Sequence, residues 1–209
     1  MTIKPCIFLI DDQVDVLKAL KRVLNAADFY EVMIFESAQA FLDSGNIYAP
    51  GCIVLDLAMP GMTGMMLQQT LVQCASLLPI IFLSAHGDID TSVQAMKLGA
   101  VDFLTKPVDD EKLIDAIQSA IERNRLAMSN QAASNEVLQL LASLTPRERE
   151  VLTLVVAGKL NKQIADAMGT VEKTVKVHRA RVMTKMKVRS LAELVRLVDR
   201  ALLLKPYKK

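Results

Sequence analysis

A chain of 209 residues, 52% of them hydrophobic, is long enough for two small domains and too apolar to be disordered. No apolar run approaches the roughly 20 residues of a membrane helix, and Met1-Thr2-Ile3-Lys4-Pro5 lacks the core of a secretory signal, so a cytoplasmic protein without a membrane partner is expected. The net charge of +2 divides into −7 over residues 1–126 and +9 over residues 127–209, which predicts two domains, the basic one facing a polyanion.

The front half alternates strand-like runs near 6–10, 31–35, 52–56, 79–84 and 101–105 with amphipathic stretches near 13–26, 37–44, 64–75, 89–98 and 109–126. Five strands in βα alternation predict an α/β domain with a doubly wound, five-stranded parallel sheet. Pro60-Gly61 and Gly64 punctuate the loop after the third strand, and Pro107 turns the chain after the fifth. Cys6, Cys52 and Cys74 are an odd set without metal spacing and read as free thiols of a reducing compartment.

Four of the apolar runs end in polar residues. Ile7-Phe8-Leu9-Ile10 runs into Asp11-Asp12, Ile53-Val54-Leu55 into Asp56, Ile80-Ile81-Phe82-Leu83 into Ser84, and Val101–Thr105 into Lys106-Pro107. Open α/β sheets place their sites at the carboxyl ends of the strands, so one edge collects three carboxylates, a hydroxyl and an ammonium. The carboxylates repel one another unless a cation intervenes, and hard oxygen donors in a cleft suit Mg²⁺. Lys106 can pair with Asp56 or with a phosphoryl oxygen, and Ser84 can bond to that oxygen. Asp56 follows a fully apolar central run, which makes its placement the most rigid, and precedes an open loop, so it is the expected nucleophile toward phosphorus.

Residues 127–143 shift to Ala, Ser, Asn and Gln and read as a polar linker becoming a short helix. Thr145-Pro146-Arg147-Glu148 then forms a capping box, with Val151, Leu152, Val155 and Val156 at helical spacing up to Gly158. Asn161 is expected to cap the next helix, which carries Ile164, Ala165 and Met168 and ends at Gly169. Thr170 is expected to cap a third, to about Met186, and Ser190 a fourth, through Leu203. The predicted organisation is therefore 1–126, a linker at 127–143, and a small all-α domain at 144–209.

On the third of these helices Val175, Val182 and Met186 fall on one side. Lys173, Lys176, Val177, Ala180, Thr184 and Lys187 fall opposite, flanked by Thr174, Arg181 and Lys185. Small apolar side chains among cations suit a DNA major groove, and the flanking groups suit phosphates. Helix, tight turn and longer helix form a helix-turn-helix.

Asp11-Asp12, Asp56 with Met59-Pro60-Gly61 and Gly64, Ser84-Ala85 and Lys106-Pro107 resemble the receiver domain of two-component response regulators over about residues 4–124. The resemblance implies a CheY-like sheet of order 2-1-3-4-5 and phosphorylation of Asp56 by a sensor histidine kinase. It also implies Mg²⁺ held by Asp11, Asp12, Asp56 and the Ala58 carbonyl. In this family the serine, here Ser84 with Ala85 beside it, moves toward the phosphoryl group, and the aromatic residue, here Phe103, changes rotamer with it. Gln13 stands where many receivers carry a third acid, and Ala58 replaces a frequently larger side chain, which bears on metal affinity and phosphoryl lifetime. His86 is expected to line the switch loop.

Leu144–Leu152, Asn161-Lys162-Gln163-Ile164-Ala165 and Thr174-Val175-Lys176-Val177-His178-Arg179 resemble the LuxR-type helix-turn-helix over about residues 140–203. Coupled to a receiver, this is similar to a FixJ/NarL-type response regulator. The resemblance implies base contact by Lys176 and Val177 and phosphate contact by Thr174, His178 and Arg181. Lys173, Ala180 and Lys185 complete the expected DNA face. The expected function is a DNA-binding transcription regulator, enzymatic at most in phosphoryl transfer and dephosphorylation at Asp56. Phosphorylation would favour a homodimer through the fourth helix and fifth strand, presenting two recognition helices to a two-fold promoter site on double-stranded DNA. The alternative is a regulator that binds DNA without phosphorylation, its receiver an interaction module. An aspartyl-phosphate phosphatase would need a second Asp where Ala58 stands.

Overall fold

The structure, a computed structural model, describes residues 4–25, 30–85 and 89–203, the last few of these by their backbone alone. The chain divides into two compact units, Met1–Ser129 and Asn130–Lys209. Among the described residues no helix is long and apolar enough to cross a membrane.

The first unit is built on five parallel strands, β1 (Cys6–Ile10), β2 (Glu31–Phe35), β3 (Gly51–Asp56), β4 (Ile80–Ser84) and β5 (Asp102–Thr105). Their order is β2-β1-β3-β4-β5, as expected. Strands β1, β3 and β4 are buried along their whole length, which explains why they read as continuous apolar runs rather than alternating ones. The helices are α1 (Val14–Asn25), α2 (Ala38–Asp43), α3 (Gly64–Gln73), α4 (Ile89–Lys97) and α5 (Asp110–Ala142). Phe8, Ile53, Leu55 and Phe82 pack with Phe41, Leu67, Leu71 and Ala95 on one face of the sheet. On the other face, Ile7, Leu9, Val54 and Ile81 pack with Leu17, Leu24, Leu113 and Ile117.

Cys6 and Cys52 stand on neighbouring strands but belong to opposite faces. Burial, aided by Glu31, pushes the Cys6 thiol up to about 11, and burial pushes Cys52 to about 12. Both are inert packing groups. Gly51 is obligatory, because a Cβ there would lie 1.8 Å from the Cys6 carbonyl oxygen, with the backbone at φ +151.

The segment read as a polar linker differs from expectation. Helix α5 runs unbroken through it to Ala142, since 127–142 contains neither Pro nor Gly to stop a helix. Ser134 and Val137 are buried, and Leu140 and Leu141 pack on the core of the second unit.

That unit adds α6 (Pro146–Val156), α7 (Asn161–Ala167), α8 (Glu172–Lys185) and α9 (Leu191–Leu203) around Val151, Val155, Ile164, Val175, Val182 and Leu194. The expected capping box closes α6: the Glu148 N–H donates to Thr145 Oγ1 at 3.3 Å, and the Thr145 N–H to Glu148 Oε2 at 2.9 Å. Ser190 Oγ accepts the Glu193 N–H at 3.1 Å at the start of α9. Two expected caps are corrected. Asn161 is the first residue inside α7, where Gln163 Oε1 instead accepts the Leu160 N–H at 2.9 Å. Thr170 closes α7 rather than opening α8. With Gly169 left-handed at φ 62, its N–H reaches back to the Ala165 carbonyl at 2.9 Å, and the cap position passes to Val171.

Candidate functional site

The parallel register sets Ile10 beside Leu55, Asp56 beside Leu83 and Ser84 beside Thr105. The residues that follow β1, end β3 and β4, and follow β5 therefore share one edge of the sheet. Lys106 Nζ donates to Asp11 Oδ2 at 2.6 Å and to Asp56 Oδ1 at 2.5 Å. The other oxygen of each carboxylate is held by its own loop: the Gln13 N–H donates to Asp11 Oδ1 and the Ala58 N–H to Asp56 Oδ2, both at 2.9 Å. Both carboxylates are buried.

Burial raises the proton affinity of Asp56 above the ordinary carboxylate value. The Lys106 ammonium opposes this and Asp11 adds to it. Burial works against the charge of Lys106, but its hydrogen bonds to Asp11 and Asp56 outweigh that, and it is held above the ordinary lysine value. The result is a compact cluster of two carboxylates around one ammonium, with both carboxylates oriented on both sides.

The loop after β3 is shaped for close approach. Met59 is buried beneath it, and the Gly64 N–H donates to the Leu57 carbonyl at 3.1 Å. A Cβ on Gly64 would stand 2.5 Å from the Asp56 carbonyl oxygen and 3.0 Å from the Phe82 ring, so only glycine lets α3 begin this near Asp56. Ser84 is buried and Ala85 exposed. The half-buried Phe103 ring leans on Phe82 at 6.2 Å and 36°.

The expected convergence of three carboxylates is only partly met. Asp11 and Asp56 come together around Lys106, while Asp12 is exposed to solvent. Among the described residues no three His, Cys, Asp or Glu side chains are gathered into a metal-binding group. The strand-end pattern pairs Lys106 with Asp56, but Asp11 as its second partner carries no local sequence signal. His86 lies outside the described residues.

In the second unit Val175, Val182 and Met186 of α8 are buried, as their spacing predicted. Lys173, Lys176, Ala180 and Arg181 are exposed, as is Val177 at 45%. Thr174 and His178 are half-buried, and His178 Nδ1 is buried without a hydrogen-bond partner.

Lys185 departs from the expected DNA face. Its ammonium donates to Glu148 Oε2 at 2.7 Å and to the Ser143 carbonyl at 3.0 Å, so it ties α8 to the start of α6. Lys185, together with the Thr145 N–H, holds the Glu148 carboxyl down at about 2. A depressed carboxylate contributes stability in full above its ordinary value of 4.5 and loses it as pH falls toward 2. Glu148→Gln should therefore lower the thermal midpoint at pH 7, with the gap to wild type closing through that acidic window. A gap independent of pH in circular dichroism melts would contradict this account.

Residues 7–118 match the response regulator receiver domain family, and residues 142–198 match the bacterial regulatory proteins of the luxR family. The chain belongs to the two-component response regulators that join a receiver to a LuxR-type DNA-binding domain, and it is a transcriptional regulator of that kind. It is similar to the transcriptional regulatory protein FixJ of Bradyrhizobium diazoefficiens, 43% identical over 201 residues that cover 96% of this chain and 98% of FixJ. It is likewise 43% identical over 194 residues to the response regulator protein TodT of Pseudomonas putida, covering 93% and 85% of the two chains. Among solved structures, response regulator StyR superposes with a TM-score of 0.85 at 43% identity, over 95% of this chain and all of that one. Full-length FixJ from B. japonicum gives 0.58 at 42% identity, over 98% of this chain and 100% of its own.

Proposed function

We propose that Asp56 accepts a phosphoryl group from a sensor histidine kinase, and that this favours a homodimer presenting two α8 helices to a two-fold site on double-stranded DNA. The observation that carries the reading is the double hold on a buried carboxylate. Lys106 and the Ala58 N–H each take one oxygen of Asp56, at the carboxyl end of β3. Residues 1–126 act as the receiver and 144–209 as the DNA-binding domain, in the cytoplasm, where the free thiols stay reduced.

In the transfer, an Asp56 oxygen attacks the phosphorus of a phosphohistidine. The new P–O bond forms as the P–N bond breaks, and the electron pair leaves on the imidazole nitrogen, which takes a proton from water. Burial makes Asp56 a more basic nucleophile than an exposed aspartate. The Lys106 ammonium and the Ser84 hydroxyl then serve the phosphoryl oxygens as donors. The donor set of Asp11, Asp12, Asp56 and the Ala58 carbonyl is all hard oxygen and suits Mg²⁺, which would supply neutralisation of charge on the phosphoryl oxygens.

The added charge draws Ser84 and Lys106 around it, and Phe103, resting on Phe82, repacks with them. Helix α4 carries Ile89, Val93 and Met96 exposed at i, i+4 and i+7, an apolar stripe that supports a dimer face beside β5. On the DNA side, Lys176 and Val177 read bases, with Ala180 beside them. Lys173, Thr174, His178 and Arg181 meet phosphates. Lys185 is not carried into this interface, because its ammonium is already committed to Glu148.

After exposure to acetyl phosphate and Mg²⁺, the full-length protein should gain the mass of one phosphoryl group on Asp56 and sediment as a dimer. Its affinity for a duplex enriched from a random pool should rise on the order of 10²-fold, as expected when two modules bind together. A mass gain with unchanged DNA affinity would favour the alternative, in which the receiver is an interaction module and DNA binding needs no phosphorylation.

A further inference from the structure

The exposed cations of α8 do not include Arg179. At 3.6 residues per turn it lies about 40° around the helix from the fully buried Val175, on the shoulder between the core stripe and the basic face. It is half-buried, and its Nη1 donates to Asn161 Oδ1 at 3.1 Å. Asn161 opens α7 and is free to accept because Gln163 caps that helix in its place. The bond joins the two helices of the helix-turn-helix across 18 residues of sequence.

The joint needs such a bond. Helix α7 is only seven residues long and buries two apolar side chains fully, Ile164 and Ala165, against the second unit's core. Those two side chains hold the middle of the helix and Met168 packs at its C-terminal end, whereas the first turn, Asn161-Lys162-Gln163, has no apolar hold on the core. A polar bond at its first residue supplies the hold at that end. Lys176 and Ala180 flank Arg179 in sequence and project from the same turn of α8 toward the exposed face.

We propose that Arg179 and Asn161 are positioning residues. Their hydrogen bond sets the angle of α8 on α7 and so aims Lys176 and Val177 at base edges, and Arg179 contacts no phosphate. This rests on the DNA-binding reading above.

The test uses the full-length protein, a duplex that the wild type enriches from a random-sequence pool, and an unrelated duplex, titrated over a salt series. R179A and N161A should each weaken the enriched duplex about tenfold, leave the unrelated duplex within about twofold, and keep the wild-type salt slope. The double variant should be no weaker than either single one, because both remove the same bond. N161D keeps the acceptor oxygen and should bind within about threefold of wild type.

A phosphate contact by Arg179 would make the slope shallower by about 0.9 and weaken both duplexes, which overturns the proposal. A phosphate contact by Asn161 would make N161D at least as weak as N161A, by repulsion, and overturns it equally. If wild type enriches no duplex at all, the DNA-binding reading itself fails. Should R179A fail to fold, N161D against N161A decides the matter.

Discussion

Asp56→Asn is expected to abolish phosphoryl acceptance completely and, at neutral pH, to leave a more stable protein. The amide offers no anionic oxygen to attack phosphorus, so no mass gain should follow exposure to acetyl phosphate. The stability change follows from the raised proton affinity of the buried Asp56 carboxyl. A carboxyl that holds its proton more tightly folded than unfolded costs stability once pH exceeds its unfolded value, 3.8. The variant, which does not titrate there, should melt with wild type below that pH. The gap should open as pH rises and stay constant above the folded value. Loss of acceptance would then not be attributable to unfolding. A variant that still gains a phosphoryl group, or that melts lower at pH 7, would contradict the assignment.

Phe82→Ala is expected to cost about 3–5 kcal/mol, the range for truncating a fully buried aromatic side chain. Phe82 is wholly buried on β4, touches Phe103, and its ring edge bounds the space that Gly64 leaves beside Asp56. Domains are stable by only about 5–15 kcal/mol, so the loss is a large share of the whole. The Asp56 loop should also lose its backing, and phosphoryl acceptance should slow even where the protein remains folded. Val72→Ala, at a 59% exposed site on α3, should by contrast stay within about 0.5 kcal/mol. Denaturant titrations followed by circular dichroism compare the two. A loss under 1 kcal/mol for Phe82→Ala would mean that the core closes over the vacancy.

Much of the molecule is legible in the sequence. The buried strands announce themselves as apolar runs because both their faces are covered. Asp11, Asp56, Ser84 and Lys106 follow from the rule that sites gather at carboxyl strand ends. The capping box at Thr145 and the buried stripe Val175, Val182 and Met186 are local patterns within one or a few turns, and they appear as read. Helix α5 extends past the end of its apolar pattern at about residue 126. Its polar stretch lacks an apolar period, but it also lacks any residue that would stop a helix.

By itself, the sequence determined which residue types stand at the ends of which elements, and so the class of chemistry and the family. The tertiary structure alone decided how those groups share one another. One ammonium serves both Asp11 and Asp56, from 95 and 50 residues away, while Asp12 stays in solvent. Lys185 is spent on Glu148, Arg179 on Asn161, and Thr170 on the end of α7. Helical and strand periods report which way a side chain faces on its own element. Which of several eligible partners it meets depends on distances between elements, and only packing sets those.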